Sequence, residues 1–348
     1  MSIAVIAESD DYHAKAVLSA LEAFNVPCLK LQADKLPGSL EISYGVDKNG
    51  SFSEVDNISL EKFDTVWLRR RGIPKSVPDD IREDEKAIAL QESKEFWKAL
   101  LQAIAPQARW VNPMMAKDRA QSKLLQLSIA RNVGLTVPRT LVSNNPTKIK
   151  QFLSDRSGYI FKSLTPVSWV EEAYRVQALY TSRVSIEDLP DDTALRAAPG
   201  IFQQAIPKKI EVRATFLGKK CITAKIDSSV DGRSHQDWRL GYYSGLKVEP
   251  YKLPDEVEAL AMKFMEEIGL QYAAFDFILS EDGQWYFLEA NESGQFLWIE
   301  QYNPDIPMLK SFCDFLVGNS SWSPNFSLAE FDGNVANENA SGRLKIIA

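Results

Sequence analysis

The chain has 348 residues, 45% apolar and 25% charged, which excludes a fibrous or wholly disordered protein and suits two or three packed subdomains. Forty basic against 47 acidic side chains leave a net charge of −7, which disfavours nucleic-acid binding driven mainly by counterion release. Three dispersed cysteines, two histidines, no long apolar run and no basic leader exclude a disulfide framework and a His-built zinc site. They also argue against a membrane span or secretory signal, so a cytoplasmic protein is expected.

Residues 3–7 read as a short buried strand. A helix follows with Ala14, Val17, Leu18, Leu21 and Phe24 at helical spacing, then a second strand over 26–31. This β-α-β start predicts a parallel sheet with a right-handed crossover. The turn Ala7-Glu8-Ser9-Asp10-Asp11 has no glycine, which argues against a dinucleotide pyrophosphate turn. A strand over 65–68 runs into Arg69-Arg70-Arg71, a long helix is expected over about 79–105, and residues 110–113 close the first unit. The second unit opens with one helix over about 118–132, stopped by Gly134. A strand at 139–142, a helix near 147–153 and a strand at 159–162 come next. Beyond Gln177 the pattern is mainly β, including a hairpin of 210–216 with 221–226. A helix over about 255–268 precedes strands at 272–279 and 285–290, joined by the turn Ser280-Glu281-Asp282-Gly283-Gln284. A helix near 307–317 ends at Gly318, and residues 319–348, aperiodic with five Asn and five Ser, read as a loosely ordered tail.

Asp276 lies on one strand of the late hairpin, with Glu289 and Asn291 at the end of the other. Two-residue alternation lets all three side chains share one sheet face. Two carboxylates and an amide oxygen make a hard-oxygen set suited to Mg²⁺, whose remaining positions go to water and nucleotide phosphates. The alternative is a solvated hairpin face. Phe287 and Leu288 weigh against it by marking a buried strand, where an acid needs a partner. Arg69 and Arg70 end a strand of an open α/β sheet, where ligands usually bind, and suit a carboxylate-rich substrate; a solvated strand end is the equal alternative.

Phe287-Leu288-Glu289-Ala290-Asn291 after an Asp-bearing strand resembles the metal-binding hairpin of the ATP-grasp ligases. More narrowly, the chain resembles the graspetide (microviridin-type) macrocyclases. The resemblance rests on Val66-Trp67-Leu68-Arg69-Arg70, Phe202-Gln203-Gln204-Ala205-Ile206-Pro207-Lys208, Glu211-Val212-Arg213 and Ile226-Asp227-Ser228. It rests also on Asp237-Trp238-Arg239 and on Glu289-Ala290-Asn291 followed by Ser293-Gly294-Gln295. The absence of glycine from Lys162-Ser163-Leu164-Thr165-Pro166-Val167, where many ATP-grasp lids are glycine-rich, favours this branch.

The resemblance implies an α/β ATP-grasp fold. A doubly wound pre-ATP-grasp domain would span 1–112, a central lid domain about 113–205, a catalytic sheet about 206–318 and a flexible tail 319–348. ATP and Mg²⁺ are the implied cofactors. Asp276, Glu289 and Asn291 would hold the metal, Lys123 and Lys162 the α- and β-phosphates, and Gln203, Gln204, Ile206 and Lys208 the nucleotide around an adenine hinge. Gln204 stands where relatives often carry Glu. Arg213 and Arg239, with Asp237, are the implied catalytic residues, because guanidinium forks suit the charge on a γ-phosphate and an acyl phosphate. Glu187 and Asp188 would grip a precursor's leader peptide. A surface lysine at 123, a plain core strand at 202–206, a surface pair of Arg213 with Glu211 two residues away on the same strand and solvated turns at 187–188 and 237–239 stay open.

The implied reaction is ATP-dependent activation of an Asp or Glu side chain in the core of a ribosomal precursor peptide. Ser, Thr or Lys would then close ω-ester or ω-amide rings. A homodimer is implied, with neither nucleic acid nor membrane as partner. Two alternatives are a ligase adding a free amino acid or amine to a peptide and a nucleotide-binding regulator without turnover.

Overall fold

The computed structural model describes residues 1–36, 38–75, 77–155, 158–165, 168–171, 175–178, 181–227, 246–318 and 327–332. Its first unit runs β1 (Ile3–Ile6), α1 (Tyr12–Ala23), β2 (Cys28–Leu31), β3 (Ile42–Asp47), β4 (Gly50–Val55), β5 (Ile58–Ser59), β6 (Thr65–Leu68), α2 (Glu83–Ala103) and β7 (Arg109–Val111). The main sheet has the order β2-β1-β6-β7 and is parallel at every step, as the opening β-α-β pattern predicts. Every residue of β1 and β6 is buried, because a parallel sheet is covered on both faces. Strands β3, β4 and β5 form a separate antiparallel sheet.

The helix expected over 118–132 is two helices, α3 (Met114–Gln121) and α4 (Lys123–Val133). Ser122 breaks it: its backbone is extended and its side chain accepts from the Leu125 amide, a cap that competes with a continuous helix. The expected unit 113–205 also divides in its packing. Ala116, Ala120, Ile129 and Ala130 share a core with Val212, Phe264 and Phe275, so α3 and α4 back the catalytic sheet. The lid proper comprises β8 (Thr140–Ser143), α5 (Pro146–Leu153), β9 (Tyr159–Lys162), β10 (Ser168–Glu171), β11 (Arg175–Ala178), β12 (Ser182–Val184), α6 (Asp192–Ala197) and β13 (Gly200–Gln204). Its antiparallel sheet β12-β9-β13-β8 has its own core of Ile149, Phe152, Leu153, Tyr159, Leu195 and Phe202.

The third unit holds β14 (Lys208–Leu217), β15 (Lys220–Asp227), β16 (Lys247–Tyr251), α7 (Asp255–Ile268), β17 (Tyr272–Ser280), β18 (Trp285–Asn291), α8 (Leu297–Tyr302) and α9 (Met308–Val317). The strands make an antiparallel sheet in the order β16-β15-β14-β17-β18. One face packs on α7. The other, through Leu217, Ala224, Ile226 and Tyr272, joins α8, α9 and the underside of the first unit in a single core. No helix among the described residues is long and apolar enough to cross a membrane.

The tail expected to be loose is docked over 327–332. Leu328 and Phe331 are buried in the same core as α1, α8 and α9. The signal was present in Ser327-Leu328-Ala329-Glu330: the Glu330 carboxylate accepts from the Ser327 amide at 2.6 Å and the Glu330 amide donates to the Ser327 hydroxyl at 3.3 Å, a reciprocal helix cap.

His13 joins the first unit to the third. Its Nε2 accepts from the amides of Phe296 at 3.1 Å and Leu297 at 3.3 Å, at the start of α8, so the ring is neutral with the proton on Nδ1. Burial, aided by the Arg69 guanidinium, pushes its pKa down to about 3 from 6.5. The unfolded chain therefore binds this proton below pH 6.5 while the folded chain does not. Stability contributed by His13 should be intact above pH 6.5 and fall on acidification by up to about 1.4 kcal/mol per pH unit. Urea unfolding at pH 7, 6 and 5 should show this slope in the parent and lose it in His13→Gln.

Candidate active site

Three adjacent strands of the third unit carry the site. In the ladder Arg213 of β14 lies opposite Asp276 of β17, and Asp276 lies opposite Glu289 of β18. The next row on the same face runs Thr215, Ala274, Asn291. Directly opposed side chains in an antiparallel pair start about 5 Å apart, so the Asp276 and Glu289 carboxylates can reach one cation, with the Asn291 amide one row along. The structure thus brings the three expected metal ligands onto one sheet face. Among the described residues no cluster of three His, Cys, Asp or Glu side chains is found.

Arg213 and Asp276 are both buried and form an ion pair at 2.9 Å, with an Arg213 Nη1 contact to the Ala274 carbonyl at 3.5 Å. Arg213 therefore pairs with Asp276 and not with Glu211, whose carboxylate takes Lys208 at 2.7 Å. This places a guanidinium beside the carboxylate set, where it can meet anionic charge. Lys208 is committed to Glu211 at the start of β14.

The two expected phosphate lysines come from different bodies and meet at one loop. Lys123 opens α4 on the catalytic body and its Nζ donates to the Ser163 carbonyl at 3.0 Å; Lys162 ends β9 of the lid, and its Nζ donates to Gln203 Oε1 at 2.9 Å. Gln203 is buried and also donates to Thr140 Oγ1 at 2.9 Å, so its side chain serves the lid core. The Gln204 amide donates to the Arg139 carbonyl at 2.9 Å, and the Ala205 amide to Gly158 at 3.0 Å. Ile206 lies in the connection 205–207, outside both sheets.

Arg69 and Arg70 part company. Arg69 is buried, pairs with Asp11 at 3.1 Å and donates to the Ser293 carbonyl, so its role is to tie the first unit to the loop after β18. Arg70 is partly exposed, 3.9 Å from Asp11, and borders an open cleft of about 540 Å³ lined also by Glu8, Asp10, Gln295, Trp298 and Gln301. The Asp11 carboxyl stays below the usual range: burial opposes ionisation, but Arg69 and the Ala14 amide outweigh it. Glu187 and Asp188 sit on an exposed turn after β12, where Asp188 accepts from the Ser185 amide at 2.8 Å. Asp237 and Arg239, with Ser228, lie outside the described residues.

Sequence reading missed the residues that brace this site. Asn112, buried at the end of β7, accepts from the amides of Gln271 and Tyr272 and donates to the carbonyls of Tyr272 and Glu292, all at 2.7–2.9 Å. Lys117 is buried on α3 and donates to Leu68 O at 3.1 Å and to Ser293 Oγ, with Glu292 at 3.8 Å. Burial pushes its pKa down to about 8 against the pull of Glu292, and Arg69, Arg70 and Arg71 add to the lowering. The Ser293 amide donates to Asn291 Oδ1 at 3.2 Å, so this network reaches a metal candidate. Gly294 is required by packing, since a Cβ there would meet Ala274 Cβ at 2.6 Å. All three cysteines are free, and burial pushes the Cys28 and Cys221 thiols up to about 12, which leaves them protonated and poor nucleophiles.

Comparison with known proteins agrees with this geometry. Residues 2–118 match the MvdD pre-ATP grasp domain and residues 116–307 the RimK-like ATP-grasp domain. No match was found among curated proteins. The RiPP-associated ATP-grasp ligase of Chryseobacterium gregarium, solved in complex with ADP and a leader and core peptide, is 25% identical with a TM-score of 0.83 over 91% of this chain and 97% of that one. Macrocyclase MdnC of Microcystis aeruginosa MRC, bound with precursor peptide MdnA, is 27% identical with a TM-score of 0.78 over 92% and 100%. Macrocyclase MdnB of the same organism is 28% identical with a TM-score of 0.72 over 91% and 99%. With over half its length matched by the RimK-like model, and a sheet that aligns two carboxylates, an amide and a guanidinium as that fold expects, the chain belongs to the RimK-like ATP-grasp family.

Proposed function

We propose that this chain is an ADP-forming peptide ligase that activates Asp or Glu side chains of a ribosomal precursor peptide and closes ω-ester or ω-amide rings. The observation that carries the reading is the row Arg213–Asp276–Glu289, with Asn291 beside it, in a fold shared over 91–92% of the chain with two macrocyclases and a RiPP-associated ligase. Mg²⁺ held by Asp276, Glu289 and Asn291 would neutralise β- and γ-phosphate charge. Lys123 and Lys162 meet the α- and β-phosphates from the catalytic body and the lid, and the backbone around Ile206 faces the adenine. Arg213 holds Asp276 in place, and Arg213, Arg239 and Asp237 would serve the charge that develops on the transferring phosphoryl group.

The peptide carboxylate oxygen attacks the γ-phosphorus and ADP departs. A Ser or Thr hydroxyl or Lys amine of the same peptide then attacks the acyl carbon. Phosphate leaves with the bonding electrons, the nucleophile's proton passes to phosphate or solvent, and the peptide has lost one water. Holding both groups of one peptide in one site supplies much of the rate by proximity. No enzyme nucleophile is required, in keeping with the protonated thiols. Arg70, the more exposed of the two arginines at the open cleft, would meet the peptide, and the exposed acidic turn of Glu187 and Asp188 would meet its leader.

Mass spectrometry of a co-expressed precursor peptide from a neighbouring reading frame should show loss of one water mass per ring. A mass gain would indicate addition of a free amine, and an unchanged mass with no ADP release would indicate a regulator. Glu289→Gln removes a formal charge from the metal set, so it should weaken Mg-ATP binding in calorimetry and abolish turnover together. Arg239→Ala should leave Mg-ATP affinity near the parent value and lower kcat by about 10²–10³, as expected for a contact made in the transition state. Ring closure by Arg239→Ala at the parent rate would remove it from the catalytic set.

A further inference from the structure

The docked segment 327–332 lies beyond the residues matched by the two family models, which end at 118 and 307. Its anchoring is specific. Leu328 and Phe331 are buried, the Phe331 ring meets Tyr12 edge-on at 5.6 Å, and the Leu328 amide donates to Glu300 Oε1 at 3.0 Å. The other oxygen of that buried carboxylate accepts from the Leu309 amide at 2.8 Å, so Glu300 clamps the segment to the start of α9.

At its end the segment reaches the cleft. The Tyr12 hydroxyl donates to Asp332 Oδ1 at 2.5 Å and accepts from Gln301 Nε2 at 3.1 Å. Tyr12 and Gln301 both line the cleft that Arg70 borders, and Gln295 on its wall is four residues past Asn291. A phenol has one proton to give, and here Asp332 takes it, so the tyrosine oxygen is left as an acceptor for the Gln301 amide nitrogen. That bond turns the carbonyl prong of Gln301 away from Tyr12, ready for a hydrogen-bond donor.

We infer that Asp332 is a positioning residue for the peptide: through Tyr12 it orients Gln301 to accept a hydrogen bond from the ring-closing segment of the substrate, whose donors are a Lys ammonium, a Ser or Thr hydroxyl or a backbone N–H. The inference rests on the peptide-ligase reading above and adds to it a contact supplied by the docked C-terminal segment. Asp332 acts through Tyr12, so its loss is expected to act on peptide binding.

The test uses the full chain and a synthetic precursor peptide from the neighbouring reading frame, with steady-state ring closure, peptide binding by fluorescence anisotropy and Mg-ATP binding by calorimetry. Asp332→Ala and Tyr12→Phe should each raise the peptide KM about three- to tenfold with kcat and Mg-ATP affinity within twofold of the parent, because one hydrogen bond of about 1 kcal/mol is disordered. The double variant should be no worse than either single one, since both break the same chain. Asp332→Asn keeps an acceptor oxygen and should restore the parent KM, which a general loss of folding would not allow. Asp332→Ala with the parent KM, or Asp332→Asn as damaging as Ala, overturns the inference and leaves the ligase reading standing. A parent chain that binds no precursor peptide sinks both.

Discussion

Leu288 is one residue more than a regular pairing of β18 with β17 can hold, and the site depends on it. Phe277 lies opposite Phe287, and Asp276 lies opposite Glu289, so the register shifts at Leu288. In a regular strand residues two apart share a face, and Phe287 and Glu289 would point the same way. The bulge lets them differ. Phe287 enters the core with Phe264, Phe275 and Phe277, while Glu289 joins Asp276 and Arg213 on the other face. A large apolar core and a carboxylate site are thereby built from one short strand.

The loop that follows β18 is held in large part by residues that precede its own unit in the chain. Asn112, Lys117 and Arg69 belong to β7, α3 and the end of β6, and they bond to Glu292 and Ser293. Two of them are buried cations, and such groups are costly unless their donors are satisfied. Lys117 meets that condition with a carbonyl, a hydroxyl and a nearby carboxylate, and Arg69 with Asp11 and a carbonyl. Removing one partner of a buried charged set typically costs about 3–5 kcal/mol, so these contacts fix the loop far more firmly than surface pairs would. On the far side Gln126 of α4 brackets Ala290 by donating to its carbonyl and accepting from its amide, both at 2.8 Å. The C-terminal end of the site strand and the loop after it are thus pinned by amides and cations from sequence-distant helices and strands.

The lid is a separate body with its own core, joined to the catalytic sheet through residues 205–207. Lys162 travels with the lid and Lys123 with the catalytic body, and the Lys123 bond to Ser163 bridges them. A phosphate chain placed between the two lysines would replace that bond with stronger charge-assisted ones and draw both bodies onto the same ligand.

Local pattern was enough to read the elements of the chain, because apolar spacing and turn residues are local properties. The β-α-β start, the Asp276 strand, the hairpin turn and α7 all stand where periodicity puts them. The alternation that set Asp276, Glu289 and Asn291 on one face was also legible, although the bulge that makes it compatible with Phe287 was not. Sequence reading took Arg69 and Arg70 as equals. Only the fold could separate them, since burial against Asp11 and Ser293 depends on residues 58 and 224 positions away. The same limit applies to α3 and α4, assigned to the lid by chain order and drawn to the catalytic sheet by Phe264 and Phe275. It applies also to the tail, whose composition reads as loose while Leu328 and Phe331 find a pocket formed by α1, α8 and α9. Sequence alone determined which residues carry charge, oxygen ligands and periodicity; tertiary structure decided which of them are buried and paired, because burial is a property of contacts between segments far apart in the chain.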